Sequence, residues 1–309
     1  MEELNWRQSP FTSVMLTIVI ALGGFLFIGP FIGLMLAMPF VEESFADFLQ
    51  NMSSPVGHPE LKTPYFIVQG CATFFGLIII PTLYVVFIEK LNPMIFFRKH
   101  RTTFLTFLVI VGIVIFFIGF NSIIIEWNAN IDLPDSMQGF ENWARRNEDM
   151  AMEVTKFLTV FDTPAEFIVG LLVIAVFAGI GEELVFRGLL QPALYRLTKN
   201  IHVAIWVSAI LFSTLHMQFF GFVPRVLLGA LFGYLYYWSG NLAVPMFAHF
   251  VNNALSVIAM YALQKGVIDM DVDSTEAHSW PIVITFTLCA VALLYYFKKQ
   301  FDIKTTPAA

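Results

Sequence analysis

Eight apolar runs recur along the chain, at approximately 12–38, 65–88, 104–125, 164–186, 201–220, 223–238, 241–262 and 281–297. A helical bilayer crossing takes about 20 such residues. Runs of this kind narrow the fold sharply. Inside hydrocarbon the backbone finds no water to bond, so an isolated segment must satisfy its N–H and C=O groups internally, as a helix. Composition agrees: 58% of the 309 residues are hydrophobic and 13% are charged, against about 25% charged in a soluble domain. The mean hydropathy is +0.74, and 34 phenylalanines suit lipid-facing surfaces. The reading is one all-α, polytopic membrane domain over 1–309, with about eight transmembrane helices, no internal repeat and no low-complexity tract. Gly23-Gly24 and Pro30 predict a kink in the first run.

The charges between the runs alternate in sign. Lys90, Arg98, Lys99, His100 and Arg101 follow the second run, Arg196, Lys199 and His202 the fourth, and Lys298, Lys299 and Lys304 the last. The positive-inside rule puts these in the cytoplasm. Glu42, Glu43 and Asp47, and later Asp269, Asp271, Asp273 and Glu276, make the intervening loops acidic. The segment 126–163, with eight acids against Arg145, Arg146 and Lys156, reads as an extracytoplasmic loop. Eight crossings with both termini cytoplasmic satisfy every loop. The N-terminus has no basic stretch before its apolar run and no small-residue cleavage site, so it reads as a retained cytoplasmic tail. Within 136–160, Met137, Phe140, Trp143, Met150, Val154 and Phe157 fall at helical spacing, as in an amphipathic surface helix. Cys71 and Cys289 lie inside apolar runs and read as buried thiols.

A few polar residues resist this description. Glu182, Glu183 and Arg187 directly follow the apolar run 166–181, and Leu184-Val185-Phe186 continues it. Each charge at a helix centre costs roughly 2.5–3.5 kcal/mol on insertion scales. Glu183 and Arg187 are four apart with the acid first, the favourable orientation for an ion pair. Glu182 is rotated about 100° away and has no basic partner on its own helix. Gly179 and Gly181 leave room beside it for a close neighbour, a water or a substrate backbone. The next run contains Phe212 and His216 on one face, and the seventh contains His249 and Asn253 on one face. Intramembrane histidines usually face the bundle interior. Asn252 reads as an interhelical hydrogen-bonding residue and Ser213 as a packing serine.

Glu182-Glu183-x-x-x-Arg187, Phe212-x-x-x-His216 and His249-x-x-x-Asn253, in that order on separate runs, resemble the three motifs of the CPBP family. That family includes the type II CAAX prenyl proteases and the bacterial Abi (bacteriocin-immunity) proteins. The resemblance covers about 164–260. It implies an intramembrane endopeptidase. No His-Glu-x-x-His and no Gly-x-Ser-x-Gly occurs, so site-2-type metalloproteases and rhomboid-like serine enzymes are not expected.

Under that resemblance Glu182 takes a proton from water, His216 holds the water, Glu183 and Arg187 fix the local charge, and His249 and Asn253 donate to the oxyanion. A zinc version uses Glu182, His216 and His249 as ligands. Spacing alone leaves both open; the reading leans to glutamate-activated water with no required cofactor. The expected partners are a peptide or membrane-protein substrate and membrane lipid, not nucleic acid. The expected location is a bacterial inner membrane, where prenylated substrates give way to small peptides or membrane proteins. Two alternatives remain: a non-catalytic immunity or scaffold protein, and a transporter with Glu182 as a proton relay. One tension is geometric. Glu182, His216 and His249 meet only if the fifth helix starts below the membrane plane, so that Arg196–Asn200 projects into the cytosol, or tilts strongly.

Overall fold

The computed structural model describes residues 5–52, 57–97, 102–269, 271 and 274–302. Arg98, Lys99, His100, Arg101, Asp273 and Lys304, used above for orientation, lie outside these residues, as do the first four of the N-terminal tail. The described residues form ten helices. They are α1 (Pro10–Phe40), α2 (Phe45–Met52), α3 (Pro59–Ile88), α4 (Phe104–Ala129), α5 (Gln138–Thr159), α6 (Pro164–Thr198), α7 (Ile201–Thr214), α8 (Phe222–Ser239), α9 (Ala243–Gln264) and α10 (Trp280–Asp302).

Six of them, α1, α3, α4, α6, α9 and α10, are long and apolar enough to cross a membrane. Their outward faces carry large apolar side chains: Phe27, Phe31, Phe104, Leu288 and Tyr295 are each at least 66% exposed. Water would not tolerate that much apolar surface, and lipid does. The chain is an integral membrane protein. The expected spans at 201–220 and 223–238 are present as helices, but α7 has only 14 residues and α8, which carries Arg225, is not among the six.

α1 and α3 pack through small residues. A Cβ on Gly24 would lie 2.6 Å from the carbonyl oxygen of Gly76, and one on Gly29 would lie 2.6 Å from Ala72 Cα. This is backbone approach of the kind that stabilises helix pairs in lipid. Where a kink is expected in α1, the helix takes a π-helical stretch over Gly24–Ile28. At the other end of the pair, the fully buried Glu89 accepts hydrogen bonds from the Arg7 and Gln8 amides (3.0 and 3.1 Å), from Ser13 Oγ (2.8 Å) and from Tyr84. It ties the start of the chain to the end of α3. The principal core lies among α4, α8, α9 and α10, around Ile110, Ile113, Phe232, Val244 and Phe297.

α6 corrects the sequence reading. It runs past the expected end at 186 to Thr198, so Glu182 and Glu183 sit at its midpoint and not at its end. The continuation is possible because α8 satisfies its polar side chains. Arg187 donates to the carbonyl of Gly229 (2.7 Å) and Gln191 to that of Gly233 (3.2 Å), both donors fully or almost fully buried. Gly179 and Gly181 admit neighbouring helices instead of a ligand. A Cβ at Gly179 would meet the α9 backbone at 3.0 Å, and one at Gly181 would meet Leu77 of α3 at 2.8 Å. The amphipathic segment is helical as expected, as α5. Cys71 and Cys289 are free thiols, but half-buried and not buried.

Candidate active site

The midpoint of α6 is a single α-helical turn, Ala178–Glu183, between two π-helical stretches, Leu171–Phe177 and Leu184–Leu190. Such widened turns concentrate at functional sites. Here the adjacent acids Glu182 and Glu183 point into two different environments.

Glu183 is fully buried, and its Oε1 accepts from Arg187 Nη1 at 2.6 Å and from His249 Nδ1 of α9 at 2.8 Å. The expected pair is therefore present and has a third member. Aromatic rings enclose it. The Arg187 guanidinium lies 4.9 Å from the Phe212 ring centre and 5.5 Å from that of Phe232. Phe232 also stacks on the His249 imidazole at 5.2 Å. With Nδ1–H directed at Glu183, His249 turns Nε2 toward Glu182, 3.8 Å from its Oε2. The histidine bridges the two acids.

Glu182 faces the other way. Its side chain is 20% exposed, and its Oε2 is buried with no hydrogen-bond partner. It lines a cavity of about 850 Å³ together with His216, and the two lie within electrostatic reach of each other. His216 differs from expectation. α7 stops at Thr214, and His216 sits in the turn that follows, closed by Met217 in the left-handed region (φ 56°). A left-handed non-glycine residue at such a place is held there by its surroundings. The His216 Nδ1–H donates to the carbonyl of Phe212 (2.9 Å), which leaves Nε2 for the cavity. The ring lies edge-on to Phe212 at 4.9 Å.

The cavity wall comes from five helices and the turn after α7. Leu22 and Phe25 represent α1, Gln69 and Leu77 α3, Trp143, Asn147 and Met150 α5, Val185 and Phe186 α6. His249 and Asn253 do not line it. Asn253 Nδ2 donates to the carbonyl of Ile174, inside the first π-helical stretch (2.9 Å). Asn252 bonds its neighbour Asn253 (3.1 Å), so the interhelical bond belongs to Asn253 and not to Asn252. Ser213 is a packing serine as expected, donating to the carbonyl of Phe222 (2.8 Å).

The zinc set does not form. Among the described residues no group of three or more His, Cys, Asp or Glu side chains is placed to hold a metal ion. One of the three expected ligands is engaged elsewhere: His249 presents Nδ1 to Glu183 and does not line the cavity, which only Glu182 and His216 reach. The metalloendopeptidase reading has no donor set to stand on.

The sequence reading also passed over Gln69 and Asn147, the other polar side chains in the cavity wall. A carboxamide inside the apolar run 65–88 was a usable signal for the first. Nothing in the sequence singled out the second.

Fold and site together define an integral membrane protein with a polar, acid-bearing centre between its helices. Residues 164–255, less than a third of the chain, match the family model "Type II CAAX prenyl endopeptidase Rce1-like". The chain is 32% identical over 104 residues to "Uncharacterized protein YpbD" of Bacillus subtilis (strain 168), covering 32% of this chain and 50% of that protein. It is 30% identical over 113 residues to "CAAX prenyl protease 2" of Arabidopsis thaliana, covering 29% of this chain and 36% of that protein. The chain thus spans half or less of the length of these relatives. No solved structure matches it.

Proposed function

We propose that the protein is an intramembrane endopeptidase that hydrolyses a peptide bond with water activated by Glu182. The observation that carries this reading is the pair of Glu182 and His216 on one cavity wall, with Glu182 Oε2 free of any hydrogen bond. The match of residues 164–255 to a peptidase family model supports it.

Glu182 accepts the proton of water, and His216 Nε2 orients that water by accepting its second hydrogen. The carboxyl of Glu182 then returns the proton to the leaving amine. Glu183 and Arg187 do not touch substrate in this scheme. They hold His249, whose Nε2 sits behind Glu182 and moderates its charge. The donors assigned to the oxyanion are the second N–H of the Asn253 amide, whose first goes to Ile174, and His249 Nε2–H, which exists only in the imidazolium because Nδ1–H already goes to Glu183. Substrate entry has to bring the scissile carbonyl to them from the cavity. The scheme needs no metal.

The proposed topology is eight crossings with both termini cytoplasmic, α7 and α8 forming a short hairpin inside the bilayer. The proposed setting is a bacterial inner membrane, with peptides or membrane-protein segments as substrates and lipid as the surrounding partner. The decisive variant is Glu182→Gln, which keeps the shape of the side chain and removes the base. Cleavage of an internally quenched peptide by the purified protein should fall by at least about a hundredfold, the lower range for loss of a general base, with the unfolding temperature unchanged. Cleavage by the wild-type protein should survive 1,10-phenanthroline. Wild-type rates in Glu182→Gln, or biological activity undiminished by it, would sink the protease reading and favour a scaffold.

A further inference from the structure

We infer that Gln69 and Asn147 form a docking pair for the main chain of an extended peptide, in the cavity that Glu182 and His216 also line. The inference rests on the endopeptidase reading for its reaction, but on separate atoms for its evidence.

Gln69 belongs to α3, a membrane-spanning helix, and Asn147 to the surface helix α5. Both side chains line the cavity, and both are only partly exposed. Most other half-buried or buried carboxamides in the described residues are engaged: Asn121 donates to the Pro224 carbonyl, Asn128 to that of Phe219, Gln191 to that of Gly233 and Gln264 to that of Phe161. Among the described residues, neither Gln69 nor Asn147 makes a side-chain hydrogen bond, and neither amide is shut away from solvent. Both are free to trade water for the polar groups of an occupant, and two in one cavity wall offer it two such contacts.

The chemistry of the amide identifies that occupant. A carboxamide carries both a donor and an acceptor. In an extended peptide, the N–H and C=O of one residue point to the same edge, the pattern that pairs antiparallel strands. One Gln or Asn side chain can therefore bridge both groups of a residue. Two of them on separate helices can grip two positions of one strand. This recognition reads the backbone and tolerates any side chain, which leaves selectivity to the apolar wall from α1. A lipid chain would use that wall but has no use for two carboxamides. The cavity, about 850 Å³, falls within the ~300–1,000 Å³ of sites that enclose ligands.

The test uses the full chain in nanodiscs and a quenched peptide that wild type cleaves and Glu182→Gln does not. Gln69→Leu and Asn147→Leu preserve volume and remove the donor and acceptor. Each should raise KM about five- to tenfold, the loss of a neutral hydrogen-bond pair, with kcat within about twofold and the unfolding temperature not lowered. A series of the same peptide with single backbone amides N-methylated should contain one position that weakens wild type by a similar factor and adds nothing in Gln69→Leu. Unchanged KM in both variants, while Glu182→Gln stays silent, overturns the docking pair and leaves the protease reading intact. A KM shift in both leucine variants without the N-methylation signature would place the effect in packing and also overturn the pair.

Discussion

At the scale of single residues, the two adjacent acids of α6 do opposite work because about 100° of helix rotation sends them to different surroundings. Glu183 is buried against Arg187 and His249, and all of its stabilisation is local. Arg187 is 1% exposed and has three rings around its guanidinium. Removing it alone leaves a carboxylate in a dry site. Arg187→Met should therefore cost about 3–5 kcal/mol, the measured range for breaking a buried pair on one side. The double variant Glu183→Leu/Arg187→Met should recover most of that loss, because no charge is left unpaired. Thermal unfolding in detergent, read for both variants, checks this. A single variant as stable as wild type would mean that Glu183 finds another cation. Glu182 was legible in the sequence as the unpaired acid, since its distance from any base on its own helix is a matter of spacing. The role of His249 as a bridge between the acids was not. It depends on α9 packing against α6 at Gly179, where the α9 backbone would lie 3.0 Å from an added Cβ.

At the scale of helices, the sequence spoke clearly about hydrophobic length and poorly about where a helix ends. The apolar run read from the sequence stops at 186, just before Arg187 and Gln191. Their partners are the Gly229 and Gly233 carbonyls of α8, and no local pattern announces a backbone acceptor on another helix. Glu182 and His216 meet in the cavity wall because α6 is longer than expected and carries Arg196, α7 is shorter, and the histidine lies in the turn. The amphipathic α5 was legible as a helix, but its contribution to the cavity was not. Glu148 on α5 accepts from Gln218 Nε2 at 3.3 Å, and Gln218 in turn accepts from Arg225 Nη2 at 2.8 Å. Burial pushes the Glu148 carboxyl above its ordinary value of 4.5, and the nearby Arg225 opposes that only in part. The folded protein thus holds this proton more tightly than the unfolded chain. The stabilisation is complete below about pH 4.5 and is lost as pH rises through the elevated folded value. Glu148→Gln should remove that loss. The variant should be more stable than wild type at neutral pH and lose the advantage toward pH 4, as read by unfolding temperature across a pH series. An advantage that does not depend on pH would place the effect in packing and not in the proton.

For the whole molecule, the unresolved relation is between the short hairpin of α7 and α8 and the bilayer. α7 spans about 21 Å at 1.5 Å per residue, less than the ~30 Å of hydrocarbon. Its far end, with His216 and Met217, would then lie below the outer surface, where non-helical backbone is tolerated only beside protein or a water-filled cavity. The cavity wall supplies that setting, since Met217 and His216 both line it. In the proposed eight-crossing arrangement α5 lies on the outer side, and its Asn147 and Met150 share the cavity wall with that turn. The eight-crossing topology makes a prediction that six crossings do not. With Cys71 and Cys289 replaced by alanine, single cysteines at the exposed positions Asn130, Met217 and Ser279 should react with a membrane-impermeant thiol reagent from outside intact cells. Cysteines at Lys199 and Lys298 should react only after permeabilisation. Six crossings also place both termini on one side, so the informative pair is Lys199 and Met217, at the two ends of α7. Labelling of both from the same side would mean that α7 does not cross, and the cavity would then open to the cytoplasm. Labelling from opposite sides fixes the cavity mouth on the outer face, and with it the side from which a peptide reaches Glu182.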